Sequence, residues 1–236
     1  MTPVTADKLV RLGEEKSTRL IVAVDELSGG LTLEHTTKLL AHLKELAAGV
    51  KVGLPLLLNL GLSQVSALIE KFQGSFYFLA DFKLADVPSI VRKELELIRK
   101  AGFDGAIVHL FPMGYEDELP SIASTGLDVY GLVAMSHPKS KLMDQHFEDL
   151  LGYSAELNLS GVVVPATKPA LIERARSYLP RKYLILSPGV GVQGAEPGAA
   201  LRRGADFEIV GRMVTTSPNP REVAESIVSA ERRWLR

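Results

Sequence analysis

The segment Phe78-Leu79-Ala80-Asp81-Phe82-Lys83-Leu84-Ala85-Asp86-Val87-Pro88 sets three charges at the end of an apolar run that reads as a buried strand. Side chains alternate along a strand, so Asp81 and Lys83 share one face while Phe82 takes the other. Carboxylates and ammoniums are expensive to desolvate unless paired, and a segment shaped only by stability would hold apolar residues there. The cluster is therefore a candidate for proton transfer or charge stabilisation. Lys51 interrupts a second apolar run, Ala48-Gly49-Val50-Lys51-Val52-Gly53, and Asp25 directly follows Ile21-Val22-Ala23-Val24. Lys51, Asp81, Lys83 and Asp86 could alternate in sign, each charge holding the next. Such an array keeps an ammonium protonated in a water-poor pocket, ready to act as a general acid. The plainer readings are a salt-bridge network at a barrel mouth, a snorkelling Lys51 and, for Asp25, a helix cap or turn.

A second constellation lies late in the chain, at Ser187-Pro188-Gly189-Val190-Gly191-Val192-Gln193-Gly194. Gly189, Gly191 and Gly194 match the G-x-G-x-x-G pattern, but a dinucleotide fingerprint belongs in an early strand–turn–helix unit, and too little chain follows here. The better reading is a glycine-rich loop whose backbone N–H groups approach an anion closely. Ile209-Val210-Gly211-Arg212-Met213 follows, with Arg212 able to grip a phosphate bidentately. Together these imply a phosphate monoester substrate. The structural alternative is a tight turn at Gly211 and a surface ion pair at Arg212. Ser136, in Met135-Ser136-His137-Pro138, could hydrogen-bond a heterocycle edge or simply cap a helix. The histidines lack metal-ligand spacing and no Ser–His–Asp order stands out, so a metal site is unsupported.

The elements that would position these residues are short apolar runs, each followed by a helical pattern. Strands are expected at Leu20–Val24, Gly49–Val52, Phe76–Ala80, Gly105–His109, Val129–Ala134, Gly161–Val164, Tyr183–Leu186 and Phe207–Val210. Between them fall amphipathic stretches at Leu33–Leu46, Ser63–Phe72, Ser89–Lys100, Tyr115–Ile122, Phe147–Leu157, Lys168–Tyr178, Pro197–Arg203 and Arg221–Leu235. Eight such units without a linker or composition break predict one α/β domain over residues 1–236, a (β/α)8 TIM barrel. An extra N-terminal helix around Ala6–Glu15 would cover its floor; an open doubly wound sheet is the structural runner-up. In a barrel the carboxyl ends of the strands carry function, and Asp25, Lys51, Asp81 and Lys83 gather there at successive strands. Loops after strands seven and eight are the recurring phosphate site of barrels.

With 46% hydrophobic and 23% charged residues, the composition is that of an ordinary soluble protein, and the net charge of −1 gives no reason to expect nucleic acid or an anionic membrane as partner. The absence of cysteine excludes thiolate chemistry and disulfides and fits the cytoplasm. No signal-peptide pattern opens the chain, and the longest greasy stretch, Val52 to Leu62, is too short to span a bilayer.

These pieces, together with Ala23-Val24-Asp25 and Asp81-Phe82-Lys83-Leu84-Ala85-Asp86, run in order over nearly the whole chain and resemble the orotidine 5′-monophosphate decarboxylase family in its short microbial form. The resemblance implies a barrel homodimer that converts orotidine monophosphate to uridine monophosphate without metal or organic cofactor. It implies that Lys51, Asp81, Lys83 and Asp86 form a charged tetrad, with Asp86 supplied by the partner subunit. It further implies ribose contacts from Asp25 and Lys51, a pyrimidine contact from Ser136, and Gln193 bridging pyrimidine and phosphate. Gly211 and Arg212 would hold the phosphate, Val87, Pro188 and Gly189 would complete the substrate contacts, and the loops after strands five and seven would close as lids.

Two positions depart from the family pattern. Ile90 follows Ser89 where a threonine usually reaches a ribose hydroxyl across the dimer, so that contact passes to Ser89 or is missing. Ala134 precedes Met135 where an acid is common; a change confined to residues behind the site is expected. The nearest rival is a Mg²⁺-dependent sugar-phosphate decarboxylase or aldolase of the same lineage, such as hexulose-phosphate synthase. That enzyme has an acid where this chain has Lys51, and a cation there would repel the metal. A non-catalytic nucleotide-binding barrel is the other rival, and the complete tetrad argues against it.

Overall fold

A computed structural model describes residues 7–235 of the chain, so Ala6, where the first helix is expected to begin, lies outside the described residues. Helix α1 (Asp7–Glu15) precedes eight parallel strands that close into a barrel in sequence order: β1 (Leu20–Val24), β2 (Gly49–Gly53), β3 (Tyr77–Leu84), β4 (Gly105–His109), β5 (Asp128–Leu132), β6 (Gly161–Val163), β7 (Leu184–Val190) and β8 (Phe207–Val210). Helices α2 (Leu33–Leu43), α3 (Leu54–Phe72), α4 (Pro88–Lys100), α5 (Glu118–Ala123), α6 (Lys141–Gln145), α7 (Phe147–Glu156), α8 (Pro169–Tyr178), α9 (Ala199–Arg202), α10 (Arg212–Thr215) and α11 (Pro220–Glu231) follow the strands. A 3-10 turn, Arg232–Trp234, follows α11. The expected (β/α)8 architecture is the observed one.

Strand alternation divides the core in two. Leu20, Val22, Val24, Val50, Val52, Phe78 and Ala80 point outward and pack under the helices. Ile21, Ala23, Tyr77, Leu79, Ile107, Leu132, Val163 and Ile209 fill the barrel, with Leu9 and Leu12 of α1 joining them from below. That helix closes the floor, as its amphipathic pattern predicts. Lys51 and Asp81 occupy inward positions in the same alternation: Ala23 pairs with Lys51, Lys51 with Leu79, and Gly53 with Asp81. A strand position that stability would give to an apolar side chain is thus held by charge at two adjoining places.

Several boundaries differ from expectation. β3 runs on to Leu84 rather than stopping at Ala80, so Asp81 and Lys83 lie within a strand. Its register against β4 shifts between Ala80 and Leu84, and Lys83 adopts φ 50°, a left-handed conformation rare for a residue with a side chain. Such strain is held only where surrounding contacts over-determine it. α3 starts at Leu54, not Ser63, because Pro55 suits a first helical turn; Gly61, at φ 75°, kinks it where the expected helix begins. β7 continues through the glycine-rich segment to Val190, and short α6 and α10 form in loops. No helix among the described residues is long and apolar enough to cross a membrane.

Candidate active site

The carboxyl ends of the strands open into a cavity of about 260 Å³. Its base is the top layer of the barrel interior, Ala23, Ile107, Leu132, Val163 and Ile209. Charge stands along one wall. Lys51 Nζ donates to Asp25 Oδ2 at 2.7 Å and lies 2.9 Å from Asp81 Oδ2, while Lys83 Nζ donates to Asp81 Oδ1 at 2.8 Å. The four side chains form an unbroken alternating row, Asp25–Lys51–Asp81–Lys83. Lys51 and Asp81 are buried, with side chains 7% and 8% exposed, whereas Lys83 is 41% exposed and can reach a ligand.

Electrostatics fixes the protonation states. Burial alone would lower the Lys51 ammonium, but the carboxylates of Asp81 and Asp25 outweigh it and hold the pKa above the ordinary lysine value. Burial likewise pushes the Asp81 carboxyl up, and Lys51 and Lys83 more than reverse that push, leaving it below the ordinary aspartate value. Lys51 and Asp81 are therefore both ionised at neutral pH. His109, at the end of β4, is driven the other way: burial and the nearby Lys83 charge lower its pKa, so it stays neutral, 5.1 Å from the Phe111 ring.

The other rim is polar and open to anions. Arg212 is exposed and has no ion-pair partner among the described residues, which removes the surface-salt-bridge reading of that side chain. Gly189 has φ 102°, and a Cβ there would lie 3.1 Å from Thr167 Cγ2, 3.2 Å from Gln193 Oε1 and 3.6 Å from Ser136 Cβ. Glycine is what lets these three converge. Ser136, Pro188, Gly189, Gln193, Gly211 and Arg212 all line the cavity with Asp25, Lys51, Asp81 and Lys83. Ser136 caps no helix; Ser140 is the residue that precedes α6.

Asp86 and Val87 stand apart. Both are exposed, the Asp86 carboxylate accepts from the Val87 N–H at 2.7 Å, and neither lines the cavity of its own chain. Within one chain Asp25, not Asp86, completes the alternating row. Ala134 lies on the cavity wall itself, so the change beside Met135 reaches the site rather than staying behind it.

The sequence reading missed Glu26 and Thr167; Glu26 lines the cavity and Thr167 Oγ1 donates to the Ser136 carbonyl at 2.9 Å. It also missed why Gly53 is small: a Cβ there would strike the Asp25 carboxylate. Inward alternation at strand ends could have found Ile107, Leu132, Val163 and Ile209.

Comparison with known proteins identifies the family. A family model described as Orotidine 5′-phosphate decarboxylase / HUMPS family matches residues 18–227. A protein of Aeropyrum pernix named orotidine 5′-phosphate decarboxylase is 40% identical over 222 residues, 89% of either chain. One of the same name from Methanococcoides burtonii is 36% identical over 90% of this chain and 97% of its own. The crystal structure of orotidine 5′-monophosphate decarboxylase from Metallosphaera sedula superposes with a TM-score of 0.78 at 35% identity, covering 92% of this chain and all (100%) of that one. That of the Methanocaldococcus jannaschii enzyme, complexed with inhibitor BMP, has a TM-score of 0.79 at 26% identity, covering 90% and 98%.

Proposed function

The chain belongs to the orotidine 5′-phosphate decarboxylase family, and on that premise we propose how its residues carry out the reaction. The enzyme is a carboxy-lyase that converts orotidine 5′-monophosphate to uridine 5′-monophosphate. The observation that carries the residue assignment is the Asp25–Lys51–Asp81–Lys83 row facing Arg212 and Gln193 across one cavity.

Breaking the bond from C6 to the carboxylate leaves its electron pair on C6 as a vinylic carbanion that the ring delocalises poorly. Lys83, accessible and held by Asp81, stabilises that pair and delivers the proton that takes the place of CO2. Its amine then recovers a proton from water. Asp81 sits against the departing carboxylate, fixed by two ammoniums so that it stays ionised and cannot swing away. Lys51 holds Asp81 and, with Asp25, meets the ribose hydroxyls. Ser136 addresses the pyrimidine, Gln193 spans pyrimidine and phosphate, and Gly211 with Arg212 grips the phosphate, with Pro188 and Gly189 shaping the wall. Phosphate binding far from C6 helps the rate as well as affinity, because its energy can drive closure of the loops after β5 and β7. Nothing in these steps requires a metal or an organic cofactor.

The working unit is a cytoplasmic homodimer in which Asp86, with Val87, is lent to the neighbouring site. Two features support the dimer. Asp86 is exposed and lies outside the catalytic cavity of its own chain. An apolar groove of about 540 Å³, lined by Leu54, Leu57, Leu62, Phe82 and Leu97, runs beside it and shares Lys83 with the catalytic cavity. Ser89, exposed beside Ile90, is the nearest candidate for the missing ribose contact.

The test follows the ultraviolet change on adding orotidine monophosphate, with and without EDTA. Turnover indifferent to EDTA is expected; an EDTA-sensitive reaction would favour the Mg²⁺-dependent rival, and no turnover by folded protein would overturn the assignment. Mixing inactive Lys83→Ala and Asp86→Ala chains tests sharing. One sound site per mixed dimer should restore up to about half of the activity per mixed dimer, following from one closed two-fold interface. No recovery on mixing, with subunit exchange verified, would refute the lent Asp86.

A further inference from the structure

The catalytic cavity lies at the carboxyl ends of the strands; a second concavity, of about 370 Å³, lies at their amino ends. Its wall comes from segments that lead into β1, β7 and β8 and from the turn after α11, and it contains five arginines. Two are engaged. Arg176 donates to the Asp206 carboxylate and to the carbonyls of Gly204 and Tyr183, and Arg203 pairs with Glu173. The other three make no side-chain salt bridge among the described residues, although the charges of Arg19 and Arg181 act on Asp206, which Arg176 already holds. Arg19 spends one N–H on the Thr18 carbonyl and lies over the Phe207 ring, and Arg202 lies 5.8 Å over the Trp234 ring. Arg181 makes no hydrogen bond or ion pair among the described residues.

Composition does not account for this excess. The chain holds 27 basic and 28 acidic residues, so an even scatter would set an acid beside each arginine. Confining like charges in one concavity opposes folding. Free guanidinium forks converging on a pocket of ligand size match the geometry of phosphate oxygens, which they bind bidentately. Three unpaired forks suit a chain of phosphates better than a single one. Trp234, 43% exposed at the edge, offers a ring to anything carried on that chain.

We propose that this amino-terminal pocket is a second anion site that binds a polyphosphate, free or as the tail of a nucleoside triphosphate. It lies across the barrel from Arg212, so occupancy is independent of the catalytic phosphate grip.

Trp234 is the sole tryptophan, which makes intrinsic fluorescence a reporter of this pocket. The full chain is titrated with sodium tripolyphosphate, a nucleoside triphosphate and inorganic phosphate, with calorimetry in parallel to catch binding that leaves fluorescence unchanged. Saturable binding of tripolyphosphate is expected, about tenfold or more weaker for inorganic phosphate and weakened by salt. Arg181→Ala and Arg202→Ala, both at exposed positions, should each weaken it about tenfold, whereas Arg212→Ala should leave it unchanged. Equal affinity for tripolyphosphate and the nucleotide would identify the phosphate chain as the whole determinant; tighter nucleotide binding would add the ring of Trp234. No saturable binding by either method, binding lost in Arg212→Ala, or binding indifferent to Arg181 and Arg202 would overturn the proposal.

Discussion

Replacing Lys51 with methionine keeps the length of the side chain but removes the cation between two carboxylates. Lys51 Nζ is 2.7 Å from Asp25 and 2.9 Å from Asp81. At an effective dielectric of about 20, each pair carries an attraction of about 6 kcal/mol before desolvation is charged against it. Much of that is spent on burying the lysine, since burial is the largest single influence on its pKa and acts downward. The net direction is still upward, so attraction wins. In Lys51→Met, Asp81 stays buried with Lys83 as its one remaining counter-charge, and removing one partner of a buried pair in this way costs about 3 kcal/mol.

The pH dependence carries the sharper sign. In the native protein, Asp81 is held below its unfolded value. Its contribution is present above about pH 4 and lost as the pH falls through the folded value. Lys51, held above its unfolded value, contributes below about pH 10.4 and loses that contribution as the pH rises through its folded value. Without Lys51, burial is free to push Asp81 up, so the deficit should be largest near pH 7 and shrink towards pH 5 as Asp81 takes a proton. Urea unfolding at both pH values and one protein concentration would read it, with an unchanged m-value certifying that only stability moved. A loss below about 0.5 kcal/mol at pH 7, or the same loss at pH 5, would refute the coupling of Lys51 to Asp81.

Three further outcomes follow from the same contacts. Lys83→Ala should cut turnover by at least about 10³-fold in the ultraviolet assay while shifting the melting temperature little, because Asp81 keeps Lys51; near-normal turnover would remove Lys83 as the essential acid. Gly53→Ala should displace the Asp25 carboxylate from Lys51 and raise KM for the nucleotide about tenfold or more, whereas an unchanged KM would show that Asp25 does not meet the substrate. Glu231→Gln concerns stability alone. Burial pushes this carboxyl up to about 8, against the Arg19 N–H that it accepts at 2.8 Å, so the folded state holds a proton that the unfolded state releases near 4.5. Native stability should therefore fall as pH rises from about 4.5 to about 8. The glutamine should gain about 2 kcal/mol over the native protein at pH 8.5 and almost nothing at pH 5, read as melting temperatures. An equal effect at both pH values would mean that Glu231 is not the group titrating.

The barrel and most of its site are legible along the chain because both rest on local periodicity. Period-two alternation marks strands and sends Lys51 and Asp81 inward, and glycine at Gly189 and Gly191 announces positive φ before any fold is known. Charges at apolar positions flag chemistry because burial makes them costly wherever they land. Other features have no local signature. That Asp25 ends the row within one chain depends on the register of β1 beside β2 and on the absence of a Cβ at Gly53. The left-handed backbone at Lys83 depends on a slip against β4 that neither segment records alone. The arginine pocket is the extreme case. Arg19, Arg176, Arg181 and Arg202 are scattered over most of the chain length, and closing β8 onto β1 brings them to one face. Sequence by itself determined which residues are charged, inward-facing or free to turn, because each depends on neighbours a few positions away. Tertiary structure decided which charges meet, because Coulomb energy depends on distance in space and only barrel closure sets that distance.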